Sequence, residues 1–80
     1  METRTYQLRS ADSPFPMRVQ LRVVPESVGL KVSIRYGDDP RWSCYPGQRG
    51  KRARCTAAEF FTAFEAQRLV TVTRLDREGA

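Results

Sequence analysis

The residues best equipped for chemistry crowd into one stretch. Between positions 41 and 55 stand Arg41, Tyr45, Arg49, Lys51, Arg52 and Arg54, together with Cys44 and Cys55 and no acid. Five cations with Tyr45 interleaved, and Trp42 nearby, suit phosphate neutralisation and base stacking. Guanidinium forks equally suit carboxylates on an acidic protein surface. The plain alternative is a solubilising face. The location of the charge separates this stretch from the rest. The chain has 14 Lys+Arg against 9 Asp+Glu. Five of the fourteen bases lie in 41–55, which leaves nine against nine elsewhere. The sequence therefore reads as a neutral domain carrying one basic element.

Other chemistry finds little support. The chain contains no histidine, which removes Ser-His and Cys-His nucleophile pairs and most zinc sites. The two cysteines are eleven residues apart and do not form a C-x-x-C motif. They read as buried free thiols, with a diagonal cross-hairpin disulfide or a redox-sensing thiol as alternatives. Asp38-Asp39 precedes Pro40 and reads as turn chemistry. Glu59 and Glu65, six apart on a helix, do not share a face. No glycine-rich phosphate loop opens a helix. The expectation is a protein without catalysis, cofactor or metal.

Two resemblances attach to the basic stretch. Gly47-Gln-Arg-Gly50 resembles the GxxG loop with which RNA-binding KH domains clamp backbone nucleotides. In that family the loop joins two helices, whereas strand-like sequence flanks it here. Tyr45–Arg54, followed by a helix, is similar to a family of transcriptional coactivators that bind single strands. The similarity covers under half of the chain. Those coactivators end on their helix, while this chain adds a strand.

The elements that must position these residues follow from periodicity. Thr3–Arg9 alternates weakly, with Tyr6 and Leu8 on one face, and reads as a strand. Ser10–Pro16 is a loop, since Pro14 and Pro16 cannot both serve a ladder. Met17–Val24 turns Met17, Val19, Leu21 and Val23 inward and Arg18, Gln20 and Arg22 outward. After a turn at Pro25–Gly29, Leu30–Tyr36 turns Leu30, Val32, Ile34 and Tyr36 inward and Lys31, Ser33 and Arg35 outward. The two runs form a hairpin with one dry and one wet face.

Residues 41–55 then read as a second hairpin closed at Gly47–Gly50. Pairing Pro46 with Lys51 turns Trp42, Cys44, Ala53 and Cys55 inward, and Tyr45, Arg52, Ser43 and Arg54 outward. Thr56-Ala-Ala-Glu59 is a capping box that starts a helix to about Arg68, with Ala57, Phe60, Phe61 and Phe64 as its apolar stripe. Leu69–Leu75 is a last, β-branched strand, and Asp76–Ala80 a tail.

One domain of residues 1–80 results, of α+β class. It is a small antiparallel or mixed sheet in ββββαβ order, with the helix on its apolar face. No apolar run approaches the roughly 20 residues of a membrane-spanning helix, and Met1–Ser10 lacks the features of a secretory signal. A cytoplasmic setting is expected, with no membrane partner. The expected role is binding. A small stand-alone inhibitor or adaptor would use the basic hairpin to dock on an acidic protein surface or a nucleoprotein complex. In size it resembles phage-encoded inhibitors of host defence such as anti-CRISPR proteins. A direct nucleic-acid-binding module is the alternative, with single-stranded nucleic acid or RNA as ligand.

Overall fold

The computed structural model describes residues 1–13, 15–46 and 53–76. The strands are β1 (Glu2–Ser10), β2 (Met17–Glu26), β3 (Gly29–Tyr36), β4 (Ser43–Cys44) and β5 (Val70–Arg74). Among the described residues there is one helix, α1, spanning Ala57–Glu65. All pairings are antiparallel, in the spatial order β4-β3-β2-β1-β5. The ββββαβ order and α+β class are as the sequence implies, and the choice between antiparallel and mixed resolves to antiparallel.

Alternation sets the two faces. Tyr6, Val19, Leu21, Val23, Leu30, Val32 and Ile34 are buried beneath α1, which contributes Phe61 and Phe64. The β2–β3 hairpin is tighter than the proline suggests. Pro25 stays in the ladder opposite Leu30, so only Ser27 and Val28 make the turn. Gly29 leaves that turn at φ 85°, a left-handed conformation that glycine adopts without steric cost.

The helix begins as its capping box dictates. The Glu59 amide donates to Thr56 Oγ1 at 3.1 Å, and the Thr56 amide donates to Glu59 Oε1 at 3.2 Å. It ends at Glu65, short of the expected Arg68, and β5 begins one residue late, at Val70. The reason for the early stop lies in the packing. After Phe64 no apolar side chain extends the stripe, and Glu65 is instead held by the sheet. The Tyr6 hydroxyl donates to Glu65 Oε2 at 2.5 Å, and Arg4 Nη1 donates to the same oxygen at 2.9 Å. The Arg4 guanidinium also lies 4.2 Å from the centre of the Phe61 ring. Burial alone would raise the Glu65 pKa, but the bonds from Tyr6 and Arg4 outweigh it and hold the carboxyl below its usual range. Burial and the bond to Glu65 both push the Tyr6 phenol up.

A nine-residue helix is about 14 Å long, while strands of eight to ten residues run about 26–34 Å. The helix therefore covers only part of the sheet. Met17 and Tyr36, expected in the core, lie on the correct face but beyond its reach, at 51% and 42% exposure.

Candidate functional site

The second hairpin is where the structure departs from the sequence reading. Among the described residues, the two flanks of the basic stretch do not pair with each other. Both join the edge of β3. Cys44 pairs with Ser33 and Ser43 with Ile34; the Tyr45 amide donates to the Val32 carbonyl at 3.1 Å; Ala53 exchanges backbone bonds with Leu30. An edge strand already buried on one face, β3, offers a better partner than an isolated two-stranded ribbon.

This pairing inverts the expected faces of residues 42–45, while Ala53 and Cys55 pack against the core and Arg54 is exposed, as expected. Tyr45, expected outside as a binding residue, lies opposite Val32 on the core face. Its ring meets Phe60 edge-on at 5.6 Å and Phe64 at 6.3 Å. Burial, and then the neighbouring Tyr36, push its phenol pKa up. Trp42, expected inside, lies on the open face, where the Arg22 and Arg35 guanidiniums stand 4.3 and 4.9 Å from its ring centre. Cys44 is exposed and Cys55 half-buried, and both are free thiols.

The other expected binding residues fall into two groups. Arg41 is exposed, with its backbone amide on Asp39 Oδ1 at 2.9 Å and its guanidinium 3.4 Å from the same oxygen. These two bonds lower the Asp39 pKa. Arg54 is exposed at the other flank. Arg49, Lys51 and Arg52 lie outside the described residues.

Beside β4 the open face forms a cationic surface that the sequence reading treated as an ordinary solvated face. Register lines it up in rows. One runs Thr73, Gln7, Arg18; the next Thr5, Gln20, Arg35; the third Thr3, Arg22, Ser33, Cys44. No carboxylate stands in these rows. Gln20 links the second row, accepting from the Arg35 guanidinium through Oε1 and donating to Thr5 Oγ1 at 3.3 Å. Trp42 caps Arg22 and Arg35 from the β4 side. An open cleft of about 460 Å³ lies between Thr5, Arg18, Gln20, Arg35 and the turn Gly37–Pro40. Asp38 closes its rim, with Arg18 Nη2 on Asp38 Oδ1 at 2.5 Å. Both Arg18 and Asp38 are exposed, so the pair is worth at most about 1 kcal/mol, and an incoming anion can compete for Arg18.

The signal for this surface was present in the outward positions of β2 and β3, where Arg18, Gln20, Arg22, Lys31 and Arg35 fall. What was missing was the placement of β4 and Trp42 alongside them. Among the described residues no group of three or more His, Cys, Asp or Glu could hold a metal ion, and no helix is long and apolar enough to cross a membrane. No protein family, curated protein or solved structure matches this chain.

Proposed function

We propose that this chain is a non-catalytic binding protein, a small inhibitor or adaptor that docks on an acidic or nucleoprotein partner and obstructs that partner's nucleic-acid path. One observation carries the reading. The two flanks of the basic stretch, Ser43–Tyr45 and Ala53, join the sheet at β3, directly beside an open face whose three rows hold Arg18, Arg22 and Arg35 and no carboxylate. Basic segment and sheet face then make one cationic surface, larger than either alone. Trp42 holds Arg22, and Trp42 and Gln20 together hold Arg35, so less side-chain entropy is lost when these two grip an anion. Arg41 and Arg54 extend the surface at the two flanks. Arg49, Lys51 and Arg52 belong to the same proposal through their place in the sequence. Tyr45 supports the surface from the core side and does not touch the partner.

Direct binding of single-stranded nucleic acid is the second reading, favoured by the position of Trp42. An aromatic set among arginines on an open sheet is the combination that single-strand binders use.

Capture from lysate with and without nuclease separates the two. An inhibitor retains a protein complex after nuclease, whereas a nucleic-acid module loses its cargo. Charge reversal tests both. Arg22→Glu with Arg35→Glu, and separately Arg52→Glu with Arg54→Glu, should each weaken capture at least tenfold, while the helix-end control Arg68→Glu should not. Retention of full binding by both double variants overturns the proposed surface.

A further inference from the structure

The outer edge of β5 is self-complementary, and we propose that two copies of this chain join there, β5 to β5, about a twofold axis through Val72. The inference does not depend on the proposed function. The two edges of the sheet, β4 and β5, differ in length and composition. At one, β4 is two residues long, and short edge strands resist further pairing. At the other, β5 reads Val-Thr-Val-Thr-Arg, with no proline, no lysine and a single charge, Arg74, held by Asp76 at 2.9 Å. Such an edge presents a row of backbone donors and acceptors to any strand that can match it.

The backbone and the sequence agree on the match. The Leu75 amide donates to the Thr5 carbonyl at 2.8 Å, which turns the backbone groups of Thr71, Thr73 and Leu75 toward β1. Those of Val70, Val72 and Arg74 therefore face outward. Antiparallel pairing centred on Val72 sets outward residues against outward residues: Val72 meets its twin, and Val70 meets the second copy's Arg74, twice. The same register sets Thr71 against the second copy's Thr73, a favourable cross-strand pair. It also sets Leu69 against the second copy's Leu75. These two leucines lie equally far from Val72 on either side and are 89% and 46% exposed. A twofold interface requires this kind of mirrored sequence, since one patch must serve both sides.

The joined sheets would place the second copy's open face in continuation of the first, doubling the cationic surface. A peptide of another protein could also use a free edge, and solution behaviour distinguishes that case.

Sedimentation equilibrium of the full chain, from micromolar to millimolar, should give twice the 9.2 kDa mass at the upper end. Thr71→Lys with Thr73→Lys sets like charges against each other across the axis and should weaken self-association at least tenfold. Thr71→Lys with Thr73→Glu sets opposite charges against each other in this register and should restore it. A wild type that stays monomeric throughout overturns the proposal. So does a dimer indifferent to the double lysine change, or one not rescued by the lysine–glutamate combination. Hydrogen exchange of the unaltered chain is an independent measurement. The amides of Val70, Val72 and Arg74 should gain protection with concentration, while those of Thr71 and Thr73 are protected throughout. Equal behaviour of the two sets overturns the proposed pairing.

Discussion

Tyr6 and Glu65 are 59 residues apart in sequence, yet the phenol donates to the carboxylate at 2.5 Å and ties the end of α1 to the centre of β1. Arg4 completes the clasp from two residues away, bonding both Glu65 and Glu2. Tyr6→Phe keeps the ring and removes only the donor. Hydrogen bonds to charged groups are worth about 1.5–3 kcal/mol. The expected result is a loss in that range by urea denaturation, with the transition slope unchanged. A midpoint equal to wild type would show that the clasp contributes nothing.

The same clasp makes stability depend on pH at both ends. The folded pKa of Glu65 lies below its unfolded value of about 4.3. Its contribution is therefore complete above that value and is lost as pH falls through the lower folded value. The folded pKa of Tyr6 lies above its unfolded value of about 10, so its contribution is complete below pH 10 and is lost as pH rises further. Denaturation midpoints measured across pH should fall at both limbs. In Tyr6→Phe the alkaline loss should shrink to what Tyr45 contributes, and in Glu65→Gln the acid loss should shrink. An acid limb unaltered by Glu65→Gln would assign it to other carboxylates.

The three phenylalanines of α1 should not be equivalent. Phe61 is wholly buried and Phe64 nearly so, while Phe60 is half-exposed against Tyr45. Phe61→Ala and Phe64→Ala are each expected to cost about 3–5 kcal/mol, close to the whole stability of a small domain. Phe60→Ala should cost clearly less. Thermal melts check the ranking, and a Phe60 variant as damaged as the Phe61 variant contradicts the packing described here.

Trp42, the sole tryptophan, reports on the open face. Its fluorescence should change when ligand binds, because an anion on Arg22 and Arg35 alters the charge standing against its ring. Trp42→Leu should weaken binding severalfold with little loss of stability, as expected for a half-buried side chain outside the core. Binding without any change in emission would place the contact elsewhere.

The cysteines should differ in accessibility. Cys44 is exposed and Cys55 half-buried. A thiol reagent applied to the native protein should modify Cys44 first, as peptide mapping by mass spectrometry would record. Preferential modification of Cys55 would contradict the pairing of β4 with β3.

What the sequence by itself determined is what periodicity and local chemistry encode. Val19, Leu21, Val32 and Ile34 alternate on neighbouring strands, and their shared face follows without knowledge of the fold. Thr56 and Glu59 satisfy each other's amides within one turn, so the start of α1 was local as well. The expected ends and partners failed where distant residues compete. Tyr45 and Trp42 differ by three positions, so they must occupy opposite faces of an extended strand, and the sequence said so. Which of them faces the core depended on whether that strand pairs with its own continuation or with β3. Only the tertiary structure decides this, because β3 supplies an edge that already has a dry face. The same applies to the end of α1, set by Arg4 and Tyr6 some sixty residues earlier. It applies equally to the cationic face, whose arginines come from two strands and acquire their tryptophan cap from a third segment. Local pattern fixes which side chains share a face; the cost of burying backbone and charge decides which faces meet.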